Sequence, residues 1–284
     1  MSLNREDGGN RKFILAEINS YFDTVLLPRL KKITFTPEWS AGKPKRLATP
    51  EETDRAPRIL KILRLESYED TLNNLELRRT QAQQALLDTS DADPGSTFSA
   101  DYRLQYMLPT ESRGSPSLLN IAAFADPTAY TLDVKVPGSD ETQRKAVDLL
   151  ETFNWLLGLT VKTIEAPEIY AATFDANAEG RVTVKQFRPD PSGPYWFRRV
   201  TGVLRDERKV LIIWRKQTGN PTHDNIALDE YGRKLNLNTL DSEFDLVYVN
   251  GGNNLQNLRH PDDTWKVRLI EEEFQRLMFA TEGV

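Results

Sequence analysis

Three short blocks toward the carboxy-terminal end constrain the fold more than any other part of the chain. Residues 210–214 (Val-Leu-Ile-Ile-Trp) are continuously apolar, residues 224–235 carry helical spacing, and residues 244–249 (Phe-Asp-Leu-Val-Tyr-Val) return to apolar character. A short apolar run without alternation marks a strand buried on both faces, as in a parallel sheet. Strand, helix and strand at this spacing predict a βαβ unit with a right-handed crossover. Trp214, inside such a run, is a core residue on this reading. The fold class is therefore α/β.

The remaining segments fit around that unit. Residues 11–33 read as a strand followed by a helix, which Pro28 interrupts because proline lacks the amide donor. Residues 37–58, with Pro37, Pro44, Pro50, Pro57 and Gly42, read as a basic irregular connector. Residues 59–87 form a periodic helical segment with a capping-box-like start at Ser67–Asp70, and residues 88–101 an acidic loop. Arg113-Gly114-Ser115-Pro116 reads as a turn. Residues 130–136 alternate and predict a strand. Residues 142–157 predict an amphipathic helix closed by Gly158 at its C′ position. Strands follow at 160–173, bent at Pro167, at 181–187 and at 195–204. A last strand at 265–270 precedes a closing helix at 271–279.

Composition excludes several chemistries. The 284 residues contain no cysteine, so disulfides, thiolate metal sites and cysteine nucleophiles are absent. The two histidines, His223 and His260, are far apart in sequence, which argues against a histidine metal cluster. No apolar run approaches the roughly 20 residues needed to span a bilayer, and residues 1–12 lack the apolar segment of a signal peptide. The expected location is the cytoplasm.

Charge is more informative by segment than in total. The formal net charge is −5. Residues 29–64 nevertheless hold ten Lys/Arg against four Asp/Glu, and residues 181–216 ten against three. Residues 217–284 reverse the balance, with six against twelve. Basic segments containing aromatic residues can grip phosphates and stack on bases. The candidates are Lys43, Lys45 and Arg46 in the first segment and Arg198 and Arg199 in the second. The competing reading is strands with an apolar core face and a charged outer face.

Three other features invite chemistry. Glu17 follows the apolar run Phe13-Ile14-Leu15-Ala16, where open α/β sheets bind ligands at strand carboxyl ends; an acid there equally suits a helix N-terminus. Asp133-Val134-Lys135 has the acid-x-lysine form of a metal-dependent nuclease, a triplet that any alternating strand produces often. Asn250-Gly251-Gly252-Asn253-Asn254 follows a buried strand but lacks the lysine of a phosphate loop, and reads as a structural turn.

Five stretches also resemble a known family. Residues 4–17 (Asn-Arg-Glu-Asp-Gly-Gly-Asn-Arg-Lys-Phe-Ile-Leu-Ala-Glu) with 21–25 (Tyr-Phe-Asp-Thr-Val) resemble the segment just after the cofactor loop in the modification (Mod) subunits of type III restriction–modification systems. Residues 62–75, 111–120, 148–159 and 265–272 match further along, so the resemblance spans almost the whole chain. Such subunits methylate the N6 of adenine in DNA with S-adenosylmethionine. The Asp-Pro-Pro-Tyr catalytic motif and the Phe-x-Gly-x-Gly cofactor loop of that permuted class are not in this sequence.

The resemblance therefore implies the carboxy-terminal portion of a DNA adenine methyltransferase. By matching position, Glu17 is the acid that contacts the cofactor ribose. No catalytic residue and no metal ligand is expected. S-adenosylmethionine belongs to the intact protein, and none is expected on these residues alone. The implied partners are DNA, a second modification subunit and the restriction helicase–nuclease subunit, with no membrane. Three regions follow: residues 1–33, a remnant of a Rossmann-like methyltransferase sheet; residues 34–101, a basic linker and helical segment; and residues 102–284, a mixed α/β domain. A docking module that never touches DNA is the alternative, and a metal-dependent nuclease the remote one.

Overall fold

The computed structural model describes residues 7–9, 11–18, 21–36, 38–54, 60–66, 68–93, 95–112, 115, 124–136, 139, 141–178, 180–241, 243–259 and 265–278. The chain divides into two compact units, Met1–Leu63 with Lys135–Gln143, and Arg64–Val134 with Arg144–Val284.

In the first unit the expected buried strand is not formed. Residues 11–18 have no regular structure, and Ile14 and Ile18 are 93% and 97% exposed. A strand needs a ladder partner for its amides and carbonyls, and among the described residues of this unit none runs beside it. A π-helical turn, Phe22–Leu26, then leads directly into α1, Leu27–Phe35. Pro28 does not interrupt the helix. It lies where the π-helical turn passes into the α-helix, and helical backbone continues on both sides of it.

The connector is also more ordered than its composition suggests. Strands β1, Trp39–Ser40, and β2, Lys43–Pro44, pair antiparallel around Ala41 and Gly42. Both turn residues have positive φ, 47° and 77°, the requirement of a two-residue hairpin turn whose twist matches its strands. A short helix α2, Pro50–Asp54, follows.

The second unit begins with helices α3, Tyr68–Asn73, and α4, Gln81–Asp91, separated by irregular chain. The single periodic segment expected at 59–87 is thus broken. The break has a local cause: Thr80 starts α4 with a complete capping box to Gln83, which satisfies the free amides of a new helix end. Residues 88–91, expected in a loop, complete α4. Helices α5, Phe98–Asp101, and α6, Met107–Glu111, come next. The cap at Ser67, His260 and, but for Ser115, the turn at Arg113–Pro116 lie outside the described residues.

Strands β3, Thr131–Lys135, and β4, Thr142–Ala146, pair as a two-stranded sheet. The sequence pattern predicts one helix from 142 to 157. Instead the helix, α7, runs Leu149–Leu156, and the Asp148 side chain caps it by accepting the Glu151 N–H. The apolar spacing at 149–157 is helical, whereas Thr142-Gln-Arg-Lys is polar throughout and is claimed by strand pairing. Gly158 follows α7 with φ +63°, as a C′ glycine should.

The centre of this unit is a seven-stranded mixed sheet. Its strands are β5, Thr160–Ile164; β6, Glu168–Ala176; β7, Val182–Pro189; β8, Tyr195–Val203; β9, Lys209–Arg215; β10, Leu246–Val249; and β11, Val267–Leu269. The order is β11-β10-β9-β8-β6-β7, with β5 also on β8. The β9, β10 and β11 strands are parallel and the rest antiparallel. Helix α8, Pro221–Lys234, connects β9 to β10, so the predicted βαβ unit exists. Helix α9, Ile270–Met278, closes the described chain.

Two apolar clusters hold the layers. On one face Val210, Ile212 and Trp214 pack with Phe153 of α7 and Ile270 and Phe274 of α9. On the other Leu211 and Ile213 pack with Ala227, Leu228 and Tyr231 of α8. Successive β9 side chains point to opposite faces, which is why this strand had to be apolar throughout. The architecture is mixed α/β, with a largely antiparallel sheet carrying a parallel edge.

Candidate functional site

The carboxyl ends of β9 and β10 carry a buried polar centre, at the position where parallel strands with a crossover helix open toward ligands. Arg215, the last residue of β9, is only 2% exposed. Its Nε donates to the Asn250 carbonyl at 3.0 Å, one terminal nitrogen to the Asp224 carbonyl at 2.9 Å, and the other to the Gly252 carbonyl at 2.8 Å. Both terminal nitrogens also donate to Asn225 Oδ1 at 3.2 Å. All five guanidinium hydrogens are therefore used, and no carboxylate touches them. Burial pulls the Arg215 pKa down, and Asp224, Glu271 and Asp229 oppose it from a distance.

Asn250 completes the centre. Its carboxamide pairs with the backbone of Arg215 in both directions at 2.8 Å, and also donates to the Phe124 carbonyl at 2.8 Å. The side chain thus continues the ladder after β10 has ended. Gly251, at φ +76°, donates its N–H to Glu271 Oε1 at 2.6 Å. A Cβ there would lie 2.2 Å from the Gln217 amide nitrogen. The other Glu271 oxygen is buried without a partner, and burial raises this carboxyl's pKa. A cleft of about 430 Å³ opens beside the centre, lined by Gln217, Asp224, Asn225, Asn253 and Asn254 among others. Arg215 braces strand ends and loops and has no donor left for a ligand. Gly252, Asn253 and Asn254 of the turn at 250–254 line that cleft.

The sequence-derived candidates lie on three different elements of the chain. Glu17 is exposed in the irregular stretch 11–18 of the first unit. In the hairpin region Arg46 donates to Glu38 at 3.0 Å and bidentately to Glu52 at 2.8 Å. Those carboxylates raise the Arg46 pKa, Glu52 first. Lys43 and Lys45 are exposed and make no ion pair among the described residues.

Arg198 and Arg199 are half-buried on β8. Arg198 Nε donates to the Glu165 carbonyl at 3.1 Å. Arg199 donates to Glu168 Oε1 at 3.4 Å, and its guanidinium lies 6.0 Å from the Tyr231 ring centre. The same carboxylate accepts from Tyr231 at 2.9 Å and from Tyr170 at 2.8 Å. Burial alone would raise the Glu168 pKa; the two phenols and Arg199 outweigh it and hold it below its ordinary value. The network pins α8 to β6 and β8.

A nuclease centre finds no support. Among the described residues no group of three or more His, Asp or Glu is placed to hold a metal. The Asp133 backbone is held in both directions by the Asn74 carboxamide, at 3.0 and 2.8 Å. His223 stacks on Phe174, 4.1 Å between ring centres.

One group escaped sequence reasoning. Glu66, 8% exposed, accepts from the Thr71 hydroxyl at 2.6 Å and from the Tyr130 hydroxyl at 2.9 Å. Burial pushes its pKa up to about 7 against the pull of those hydroxyls. No local signal marks it, because Tyr130 is 64 residues away. Arg215 and Asn250 were closer to legible: each is a polar residue directly after a buried apolar strand. No protein-family model, curated protein or solved structure matches the chain.

Proposed function

We propose that this chain is the carboxy-terminal part of an S-adenosylmethionine-dependent N6-adenine DNA methyltransferase of the type III modification kind. It supports DNA contact and subunit assembly there without carrying the reacting groups. The observation that carries this reading is the resemblance at residues 4–25, 62–75, 111–120, 148–159 and 265–272. The exposure of Phe13, Ile14, Leu15 and Ile18 adds support. Apolar residues of strand type left open to water suit a methyltransferase sheet whose other strands lie outside these residues. On this reading they become a strand only when neighbours supply the ladder.

S-adenosylmethionine, when bound, supplies the methyl group. Of this chain's residues Glu17 fits it, because an exposed carboxylate can accept hydrogen bonds from ribose hydroxyls. The adenine amine and the methionine moiety fall to the motifs that this sequence lacks. The partners are DNA, a second modification subunit and the restriction subunit, in the cytoplasm. Among the described residues no helix is long and apolar enough to cross a membrane.

The test is methyl transfer to duplex DNA from labelled S-adenosylmethionine. Residues 1–284 alone should give no turnover. Combined with a catalytic half carrying both motifs, they should restore it. Glu17→Gln should then raise the cofactor KM by about tenfold, the worth of one charge-assisted hydrogen bond, with kcat changed less. Turnover by the chain alone, or an unaltered KM, overturns the assignment. The docking alternative rests on the acidic balance of residues 217–284, twelve acids against six bases. Partner capture without any DNA binding would select it.

A further inference from the structure

The first unit contains a basic surface built as one piece. The Trp39 indole N–H donates to the Thr36 carbonyl at 2.6 Å and to the Lys32 carbonyl at 3.0 Å. The Thr36 carbonyl lies past the end of α1, where no helical N–H reaches it, whereas the Lys32 carbonyl also accepts the Thr36 N–H at 3.2 Å. The indole therefore fastens the β1–β2 hairpin to the end of the helix. Lys32 Nζ in turn lies 5.7 Å from the Trp39 ring centre. Register places Trp39 opposite Pro44 and Ser40 opposite Lys43, and the Lys45 N–H extends the pairing to the Glu38 carbonyl at 3.0 Å. Lys43 lies in β2 and Lys45 follows it directly, one residue past the strand end.

Charge on this piece is one-sided. Residues 29–46 hold six Lys/Arg and the single acid Glu38. Glu38 is taken by Arg46, as is Glu52 from α2. Lys31, Lys43 and Lys45 are exposed and make no ion pair among the described residues, and Lys32 has only the indole. The surface thus presents lysine charge while Glu38 and Glu52 are occupied; Glu51 on α2 is exposed.

We infer that this helix–hairpin surface, through Lys31, Lys32, Lys43 and Lys45, is where the chain grips the phosphates of duplex DNA, and that Arg46, Arg198 and Arg199 do not. The inference rests on the DNA-contact part of the proposed function and says which residues make it. Lysines held as point charges on an exposed surface neutralise phosphates without reading sequence. Arg46 and Arg199 would first have to lose their carboxylates, and Arg198 its bond to the Glu165 carbonyl.

The test is binding of labelled duplex DNA by residues 1–284 across a salt series. Each phosphate contact contributes about 0.9 to the slope of log affinity against log salt. Lys43→Glu with Lys45→Glu should flatten the slope by about 2 and weaken binding at least about tenfold. Lys43→Gln with Lys45→Gln separates lost attraction from added repulsion and should flatten the slope equally. Arg198→Gln should leave slope and affinity unchanged. Binding that survives both lysine pairs with an unaltered slope overturns the inference and leaves the DNA-contact reading standing. No salt-dependent binding by the unaltered chain overturns both. Equal, lysine-dependent binding to phosphatidylserine vesicles makes the partner a membrane surface and overturns the assignment to DNA.

Discussion

The helix–hairpin of the first unit and strand β8 in the larger unit are similar in sequence, since both mix basic residues with aromatics. They end in opposite situations. On β8, neighbours in the sheet supply acceptors: the Glu165 carbonyl meets Arg198, and Glu168 meets Arg199 together with two tyrosines. The β1 and β2 strands are two residues each, with nothing laid over Lys43 and Lys45. A wide sheet absorbs charge into its own networks, whereas a minimal hairpin leaves it for a partner. The aromatics divide in the same way. Tyr231 stacks on Phe197 at 4.2 Å inside the core, while Trp39 serves as a helix cap.

The contrast is most strongly tested at the polar centre beside β8. Arg215→Ala removes a buried side chain that holds the loop after β10 and the start of α8. It should cost about 3–5 kcal/mol, because the abandoned carbonyls have no water to replace it. Urea unfolding measures this, and a loss below about 1 kcal/mol would show that the arginine is not a brace.

Acids divide as the bases do. Glu66 is buried in the second unit, whereas Glu52 pairs at the surface of the first. With its folded pKa raised to about 7, Glu66 favours the folded state while neutral. Its contribution is fully present below the ordinary carboxylate range and is lost as pH rises through about 7. Stability should fall by roughly 3 kcal/mol across that window. Glu66→Gln should flatten the profile, which urea midpoints at pH 5 and pH 8 would record.

A smaller effect should come from Arg199→Gln. Glu168 keeps both phenols, so the loss should be about 1 kcal/mol, again by urea unfolding, with DNA affinity untouched. A large drop in affinity without unfolding would place β8 on the DNA and erase the contrast. The smallest effect is expected for Arg46→Gln, an exposed residue: the melting temperature should not move, and the salt slope should remain that of the unaltered chain.

Which parts were legible follows from the range of the forces involved. Residues 210–214 announced a central strand because both faces of β9 are buried, and double burial leaves no room for polar alternation. The helix start at Asp148 and the strand at 142–146 depart from the sequence pattern together. Helical spacing within 149–157 is a local signal, but the pairing of β4 with β3 is not. Residues 13–16 have the apolar content of a strand and remain irregular, because apolar content cannot supply hydrogen-bond partners.

Periodicity, caps and turn chemistry act within a few residues, so the order of elements, the βαβ unit and the core face of α7 were already present in the amino acids. Whether a given charge faces water or another residue was not. Arg199 meets Glu168 across 31 residues, and Glu66 meets Tyr130 across 64. Only the tertiary fold brings such partners within hydrogen-bond range, and that decided which basic residues were left exposed.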